Sequence, residues 1–242
     1  MTVANLRFGN FNSYQDYLLT ISELEIGQPE LHQKYVDIPF RNGSIDLTEL
    51  YGASSYSDRM IRVKFQTSLI AALTTSEVYG MYDSIVGEIY GTGIQELEID
   101  NIEGIFTGRV ISISPVTVFQ YGGEMEVQIR CKPFRVSKDY VGCTDIWDEF
   151  YPFNQHVFSD CEHHDVTSEI TARLFNNSIV PIRPVIVVTD QPVTVTQHGA
   201  SQTYTIGTHE NTHIVLQSNQ WNDVIINSNG GSIYFKWKRI FI

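Results

Sequence analysis

The sequence predicts a mainly β protein with two domains and one inserted helix. Three observations carry this prediction: two long segments alternate apolar and polar residues, one segment has a helical period, and the C-terminal third has short β-rich runs between turn signals. A chain of 242 residues can bury two cores. The predicted organisation is an N-terminal β domain over residues 1–135, an irregular linker over 136–174, and a C-terminal β-sandwich or jelly roll over 175–242.

Two segments of the N-terminal domain have the period of two that half-buried strands require. In residues 59–66 and 123–132, apolar side chains point to one face and charged or polar side chains to the other. A slip of one residue would bury the charged set, so the register is well specified. Pro133 lacks a backbone donor and ends the second strand. The apolar positions are Ile61, Val63, Phe65, Met125, Val127, Ile129 and Cys131.

Residues from about 75 to 91 have a different period. Their apolar side chains recur at spacings of three and four residues, which predicts one face of a helix. Thr74 and Glu77 have the spacing of a capping box, and Gly91 is placed to end the helix. We expect this to be the only substantial helix. Its apolar stripe consists of Val78, Met81, Tyr82, Ile85 and Ile89.

The C-terminal domain is predicted from its turns. Short runs rich in β-branched residues are separated by turn signals at intervals of about ten residues, which is typical of a sandwich. The last two runs flank the turn sequence NSNGG, residues 227–231, and this arrangement predicts a hairpin. Trp237 shares a face with Ile233 and Phe235 on the second run, so its side chain is expected in the core.

Composition and charge exclude several classes of protein. The net charge of −12, from 16 basic and 28 acidic residues, argues against nucleic-acid binding, which needs clustered Lys and Arg. No apolar run approaches the roughly 20 residues of a membrane-spanning helix, so no membrane partner is expected. The N-terminus lacks the features of a secretory signal, so we expect synthesis in a cytoplasm. Cys131, Cys143 and Cys161 have no CxxC spacing, which predicts free thiols.

No pattern in the sequence indicates an active site. One group of side chains is capable of binding a metal, but its spacing matches no zinc pattern, and adjacent histidines on a strand point to opposite faces. Glu96 and Glu98 lie two apart and are expected on the solvated face of one strand. The prediction is therefore no enzyme, with no catalytic residue, no cofactor and no metal. The metal-capable group is His156, Cys161, Glu162, His163, His164 and Asp165.

The segment VDIPFRNGSIDLTELYG, residues 36–52, predicts a strand, a turn and a second strand. Pro39 ends the first strand, and Asn42 and Gly43 turn the chain. The segment resembles a motif of the distal tail protein (Dit) family of long-tailed bacteriophages, a strand with a P-G-R-D-G-like turn and an L-D-L-T-like segment. Phe40 stands where that family usually has Gly, and Asn42 where it usually has Asp. The matching positions are Pro39, Arg41, Gly43, Asp46, Leu47 and Thr48.

The resemblance extends over nearly the whole chain. YSDRMIRVKF is similar to the family's N-R-x-I-x-x-x-F strand through Arg59, Ile61 and Phe65, and VQIRCKPF is similar to its F-x-C-K-P-Y strand. The capped helix occupies the family's helix position. LQSNQWNDVIINSNGGSIYFKWKRIFI resembles the family's closing pattern, with Asn219 in place of the usual Gly. By the order and spacing of these motifs, the chain is identified as a member of the Dit family.

The resemblance implies a virion structural protein at the distal end of a long, non-contractile phage tail. Dit proteins are hubs whose N-terminal domain forms a six-fold ring and whose C-terminal domain is a galectin-like sandwich. The implied partners are further copies of the chain in one ring or stacked rings, the tail tube protein, the tail-associated tip protein, and receptor-binding or other baseplate proteins. DNA is expected to pass through the channel without specific binding.

A ring has consequences for particular segments. Residues 59–66 and 123–132 are expected to be sheet edges that neighbours cover, and the tip of residues 36–52 is expected to contact a neighbouring subunit. Glu124 and Glu126 are candidates for an acidic channel lining, which would repel phosphate.

Two other functions stay open. A carbohydrate-binding adhesion module would need exposed aromatic rings beside polar groups. Tyr234 with Lys236 and Lys238 is its candidate, whereas Trp221 falls in a turn-rich stretch. A tail-tip hydrolase would need paired carboxylates or a metal triad.

Overall fold

The computed structural model is mainly β-strand, as the sequence predicts, and the strand pairs of its three largest sheets are antiparallel. The backbone divides into two units, Met1–Arg135 with Ile242, and Val136–Phe241. The structure describes residues 5–48, 50, 54–67, 73–119, 122–142 and 159–242.

The N-terminal unit is built on one large sheet and carries two helices. Its strands are β1 (Leu6–Phe8), β2 (Phe11–Asn12), β3 (Leu19–Ile26), β4 (Tyr35–Asp37), β5 (Ser44–Asp46), β6 (Arg59–Thr67), β7 (Gln95–Ile99), β8 (Phe106–Ile113), β9 (Thr117–Phe119) and β10 (Gly122–Cys131), and its helices are α1 (Ser13–Tyr17) and α2 (Thr75–Ile89). The large sheet has the order β2-β1-β7-β8-β10-β6-β3, with β9 also paired to β10. Strands β4 and β5 form a separate pair.

The predicted alternation of β6 and β10 is confirmed, but the prediction that they are sheet edges is wrong. Their apolar side chains are buried in one core, on which the apolar side of α2 packs. Strand β6 pairs with both β3 and β10, and β10 pairs with both β6 and β8, so both strands are interior. Alternation reports only that one face is polar, which holds for central and edge strands alike.

The capping box of α2 is confirmed. The Thr74 hydroxyl accepts a hydrogen bond from the Glu77 backbone N–H, and the Glu77 carboxylate accepts one from the Thr74 N–H at 2.8 Å. The helix ends at Ile89, two residues before the predicted limit, because Tyr90 is extended and Gly91 has a φ of +89°. Helix α1 was not predicted, since five residues are too few to show a helical period.

The C-terminal unit is a sandwich of two antiparallel sheets around one core. A five-stranded sheet and a four-stranded sheet contribute its buried side chains. The strands, of which the first spans the unit boundary, are β11 (Arg135–Val136), β12 (Val141–Gly142), β13 (Glu162–Val166), β14 (Ile170–Asn176), β15 (Val185–Thr189), β16 (Val193–Gln197), β17 (Ala200–Tyr204), β18 (Gly207–His209), β19 (Gln220–Ser228), β20 (Gly231–Trp237) and β21 (Ile240–Phe241). The five-stranded sheet has the order β12-β20-β15-β18 with β13 on β20, and the other sheet has the order β14-β19-β16-β17.

The segment predicted as an irregular linker, 136–174, contributes strands to this sandwich. Strands β12, β13 and most of β14 lie within it. The register of β13 against β20 shifts between His163 and Val166, and Asp165 has a φ of +50°. This bulge interrupts the alternation, which is why periodicity did not reveal the strand.

The predicted hairpin of β19 and β20 is also wrong. Strand β19 pairs with β14 and β16, whereas β20 pairs with β12, β13 and β15, so the turn between them connects the two sheets. A β-carbon on Gly231 would lie 2.6 Å from the Gln191 carbonyl oxygen and from the Ser228 hydroxyl, so only Gly fits this crossing. Both arrangements bury the same alternating residues, and the turn sequence does not distinguish them. The burial of Trp237 is confirmed.

Candidate assembly surfaces

A long ribbon leaves the large sheet between β3 and β6; we call its described residues, 28–48, 50 and 54–57, the arm. All ten residues 31–40 are exposed. Its distal half is the β4–β5 pair, in which Val36 lies opposite Ile45. A two-stranded hairpin is marginally stable in water on its own. The apolar side chains that the arm exposes are Leu31, Tyr35, Val36, Ile38, Phe40 and Leu50.

The arm is held at its base and open at its tip. The Glu30 backbone N–H donates to the Ser57 hydroxyl at 2.9 Å, and the Ser57 N–H donates to the Glu30 carbonyl at 2.8 Å. The Tyr56 ring packs edge-on against Phe134 with centroids 5.4 Å apart. From Leu31 to Phe40, at roughly 3.3 Å per residue, the ribbon reaches at most about 30 Å beyond that base.

The turn at the tip is the predicted one, with an unexpected residue in the left-handed region. Strand β4 ends at Asp37 and β5 begins at Ser44, with Gly43 at a φ of +82°. Asn42 does not have a positive φ; Phe40 does, at +66°, and its ring is fully exposed. A bulky side chain in this conformation costs about 1–2 kcal/mol, which Gly would avoid.

A cavity of about 340 Å³ opens between α1 and α2 of the same unit. Its wall is mainly apolar, from Leu18, Met81 and Tyr17, and Asp16 supplies one acidic group. Leu18 ends α1 in left-handed backbone with a φ of +52°, and its side chain is 47% exposed. The Tyr17 hydroxyl donates to Glu88 at 3.1 Å, and burial together with that carboxylate raises the pKa of the phenol. Sequence patterning did not reveal this cavity.

The polar face of the large sheet carries both signs of charge. Lys64 lies 3.4 Å from Glu124, and Arg62 lies 3.0 Å from Glu25. Glu124, predicted as a candidate channel residue, therefore has a cation beside it. Glu96 and Glu98 lie on the side of β7 opposite the buried Leu97, as predicted; Arg7 lies 3.8 Å from Glu98.

The outer face of the four-stranded sheet in the C-terminal unit exposes one tryptophan. Trp221 lies in β19 rather than in a turn, and its side chain is 41% exposed. The Arg173 guanidinium lies over its ring, 5.1 Å from the centroid, and Phe175 contacts it edge-on at 5.4 Å. Arg173 also pairs with Asp223 at 3.5 Å. The ring is thus held by its cross-strand neighbours, and the guanidinium occupies one of its faces.

The predicted Tyr234 cluster is present on the five-stranded sheet. The Lys236 ammonium lies 4.7 Å from the centroid of the Tyr140 ring and 6.0 Å from that of Tyr234. Lys238 lies 5.5 Å from the Tyr140 ring. These cation–π contacts make a basic and aromatic patch in which Tyr140 is exposed and Tyr234, Lys236 and Lys238 are half-buried.

The structure separates the metal-capable group of the sequence. Cys161 is buried, while His164 pairs with Glu162 at 2.6 Å and His163 contacts the Asp160 carbonyl at 3.0 Å. The described residues contain no group of three or more metal-capable side chains, and His156 and Cys143 lie outside them.

Two described cysteines lie in the hydrophobic cores, Cys131 in the N-terminal unit and Cys161 in the C-terminal unit. Both cysteines are buried, and burial raises the pKa of the Cys131 thiol to about 12. No described helix is long and apolar enough to cross a membrane.

Comparison of the backbone with solved structures finds a full-length likeness. The crystal structure of the Dit protein (gp 19.1) of phage SPP1, described as a paradigm of the hub adsorption apparatus in phages that infect Gram-positive bacteria, aligns at a TM-score of 0.64. The alignment covers 100% of both chains at 10% sequence identity. The chain has the fold of a Dit protein. The resemblance that the sequence motifs indicated is therefore confirmed at the level of the fold.

Other comparisons add little to the Dit likeness. A chain of the phage P2 baseplate in its activated conformation with calcium aligns over 97% of this chain and 98% of that one, at a TM-score of 0.41 and 10% identity. A chain of the same baseplate with strontium aligns over 98% of both chains, at a TM-score of 0.38 and 11% identity. No protein-family model and no curated protein matches the sequence.

Proposed function

We propose that the chain is the structural hub at the distal end of a long, non-contractile phage tail, where six copies form a ring. The observation that carries this proposal is the arm, an extended apolar ribbon without a core, on a unit that has the Dit fold. Burying its apolar side chains against another copy would stabilise the assembly by roughly 25 cal/mol per Å² of apolar surface removed from water.

The remaining partners follow from the same proposal. The N-terminal ring, single or stacked on a second ring, would continue the tail tube and seat the tail-associated tip protein. The C-terminal sandwich, which we propose to be galectin-like, would hold receptor-binding or other baseplate proteins. Its exposed rings Tyr140 and Trp221, the half-buried ring of Tyr234 and the polar groups beside them have the composition of a protein interface. The proposed location is therefore the tail tip of the virion.

DNA would pass through the ring without being bound. The chain has a net charge of −12, which repels phosphate over the surface as a whole. Three ion pairs on the polar face of the large sheet offset part of its acidic charge. We therefore propose that any acidic lining of the channel comes from other surfaces as well as from Glu126.

Electron microscopy of the purified full chain tests the proposal. Negatively stained particles are expected to give class averages with six-fold symmetry and a central opening, singly or in stacks. Particles of one chain only, at every protein concentration and ionic strength tried, would contradict the hub. An antibody against the chain should also label the distal tip of intact phage tails, and labelling elsewhere on the virion would contradict the location.

A carbohydrate-binding module is the second candidate, and the exposure of Trp221 favours it. Stacking on a sugar needs a free ring face with converging polar groups, whereas Arg173 already covers one face of this ring. We therefore expect no appreciable affinity for simple sugars. Calorimetry or a glycan array that detects binding, abolished by Trp221→Ala or Tyr234→Ala, would promote the adhesion module over the connector.

A further inference from the structure

Two residues of the N-terminal unit combine an exposed apolar side chain with an unfavourable backbone conformation. Phe40, at the tip of the arm, and Leu18, at the rim of the cavity between α1 and α2, both have a positive φ. Such strain persists where the surrounding structure imposes it, and it concentrates at functional sites. Here it holds one large apolar group at the tip and another beside an open cavity of the same unit.

The tip and the cavity are complementary in size and charge. At about 340 Å³ the cavity is at the small end of the range of roughly 300–1000 Å³ for ligand pockets, so it suits a side chain rather than a folded element. Among the described residues, Arg41 has no ion pair. Asp16 is exposed at the cavity, and one of its carboxylate oxygens accepts the Asn12 N–H at 2.8 Å. The tip thus offers an aromatic ring and a cation, and the cavity offers an apolar wall and an anion.

We propose that the cavity between α1 and α2 receives the arm tip of a second copy of this chain, with Phe40 against Leu18 and Met81 and with Arg41 beside Asp16. The proposal rests on the proposed function in that the second copy is a ring neighbour. Because each copy carries one tip and one cavity, every contact is head-to-tail. Such heterologous contacts generate a closed ring when the rotation between copies is right.

A cycle of charge-removing variants tests the contact. Arg41→Gln and Asp16→Asn each remove one charge, and asparagine keeps an oxygen that can accept the Asn12 N–H. Each single variant is expected to raise the protein concentration at half-assembly by roughly 2–5-fold. The double variant should need no higher concentration for half-assembly than the more impaired single variant, because the two substitutions remove the same interaction. Effects that multiply in the double variant would overturn the pairing.

The aromatic anchor gives the larger effect. Phe40→Ala is expected to raise the concentration at half-assembly by about ten-fold or more, as truncation of a buried interface aromatic does. The control is Ile206→Ala, which removes an exposed apolar side chain from the other unit and should change assembly less than about two-fold. A ring that forms normally from the Phe40→Ala chain would overturn the docking and leave the proposed hub intact.

Cross-linking distinguishes this cavity from other receivers of the tip. A chain carrying Arg41→Cys is mixed with a chain carrying Ser84→Cys, a substitution in the cavity wall. Both chains also carry Cys143→Ser, so that the native cysteines that remain, Cys131 and Cys161, are buried. Mild oxidation should give covalent heterodimers, which neither chain forms alone. Dimers of the Arg41→Cys chain alone would instead indicate tip-to-tip contact. If the tip variants Phe40→Ala and Arg41→Gln assemble normally but no longer bind purified tail tube protein, the tip would be assigned to that partner. A wild-type chain that stays monomeric would overturn both proposals.

Discussion

The arm and the C-terminal sandwich contain the same kinds of residues and bury them differently. Val36 and Ile38 are exposed in the arm, whereas Val193 and Val195 of β16 are completely buried between two sheets. Both regions are short strands with turn signals, and a second sheet covers only one of them. The apolar side chains of the arm are therefore not buried by any other part of the described chain. We attribute this difference to contacts between chains.

The largest difference is expected between two phenylalanines. Phe235 is completely buried in the sandwich and Phe40 is fully exposed at the arm tip. Phe235→Ala should lower the free energy of unfolding by about 3–5 kcal/mol, because it removes buried surface and leaves a cavity. Phe40→Ala should change it by less than about 0.5 kcal/mol, as an exposed substitution does.

Urea unfolding at protein concentrations below assembly measures both changes, and fluorescence of Trp221 and Trp237 reports on the sandwich. Equal destabilisation of a single chain by Phe40→Ala and Phe235→Ala would contradict the contrast between the arm and the sandwich. That result would mean that the ring of Phe40 is buried within its own chain.

Two glycines give the next effect, with opposite signs. Gly43 has a φ of +82° at the arm turn, and no atom lies within 4 Å of a β-carbon added there. Gly43→Val should therefore strain only the backbone, by on the order of 1 kcal/mol or more. Gly87 lies in α2, also in open space, and Gly87→Ala should stabilise the helix by about 0.5–1 kcal/mol.

Thermal unfolding measures the sign of each effect, and sedimentation measures assembly. Gly43→Val should impair assembly more than folding, because the arm adds little to the stability of one chain. A Gly43→Val chain that unfolds the N-terminal unit yet leaves rings intact would show that the turn belongs to the fold and not to the contact.

The smallest expected effect is a pH dependence of the arm. Hydrogen bonds from the Thr48 hydroxyl and backbone N–H, the latter at 2.8 Å, lower the pKa of Asp46 below its ordinary value. The ordered arm thus favours the carboxylate. This contribution is present above the unfolded pKa of Asp46 and is lost as pH falls through the lowered pKa.

Amide hydrogen exchange at Thr48 follows this loss. Exchange corrected for its intrinsic pH dependence should accelerate on acidification in the wild-type chain and change less in Thr48→Val, which lacks the hydroxyl. Equal pH dependence in both chains would show that the hydroxyl does not hold the arm.

The sequence predicts those parts of the fold that one element determines alone. The alternation of β6 and β10, the capping box at Thr74 and the turn at Gly43 follow from local spacing, and all three are confirmed. Features that depend on which elements meet were wrong or missed. Edge strands and interior strands have the same alternation of apolar and polar residues, so the alternation does not distinguish them. The same turn sequence can close a hairpin or connect two sheets.

Only part of the candidate site could be predicted from the sequence. The arm turn is visible in the sequence, but the cavity that we propose as its receiver is formed by Leu18, after a five-residue helix, and Met81, in the second turn of α2. Such residues are brought together only by tertiary packing. Trp221 was missed as an exposed ring for a similar reason, since its strand was interpreted as a turn-rich stretch.

The molar mass in solution tests the central claim, that the arm joins copies of the chain, most directly. Light scattering behind a sizing column should give six times the 27.6 kDa chain mass, or a multiple of that ring, for the wild-type chain at micromolar and higher concentrations. The Phe40→Asp chain, with a charge at the arm tip, should elute as a folded single chain. A wild-type chain that is monomeric in several salts, or a Phe40→Asp chain with the same mass as the wild type, would contradict the account.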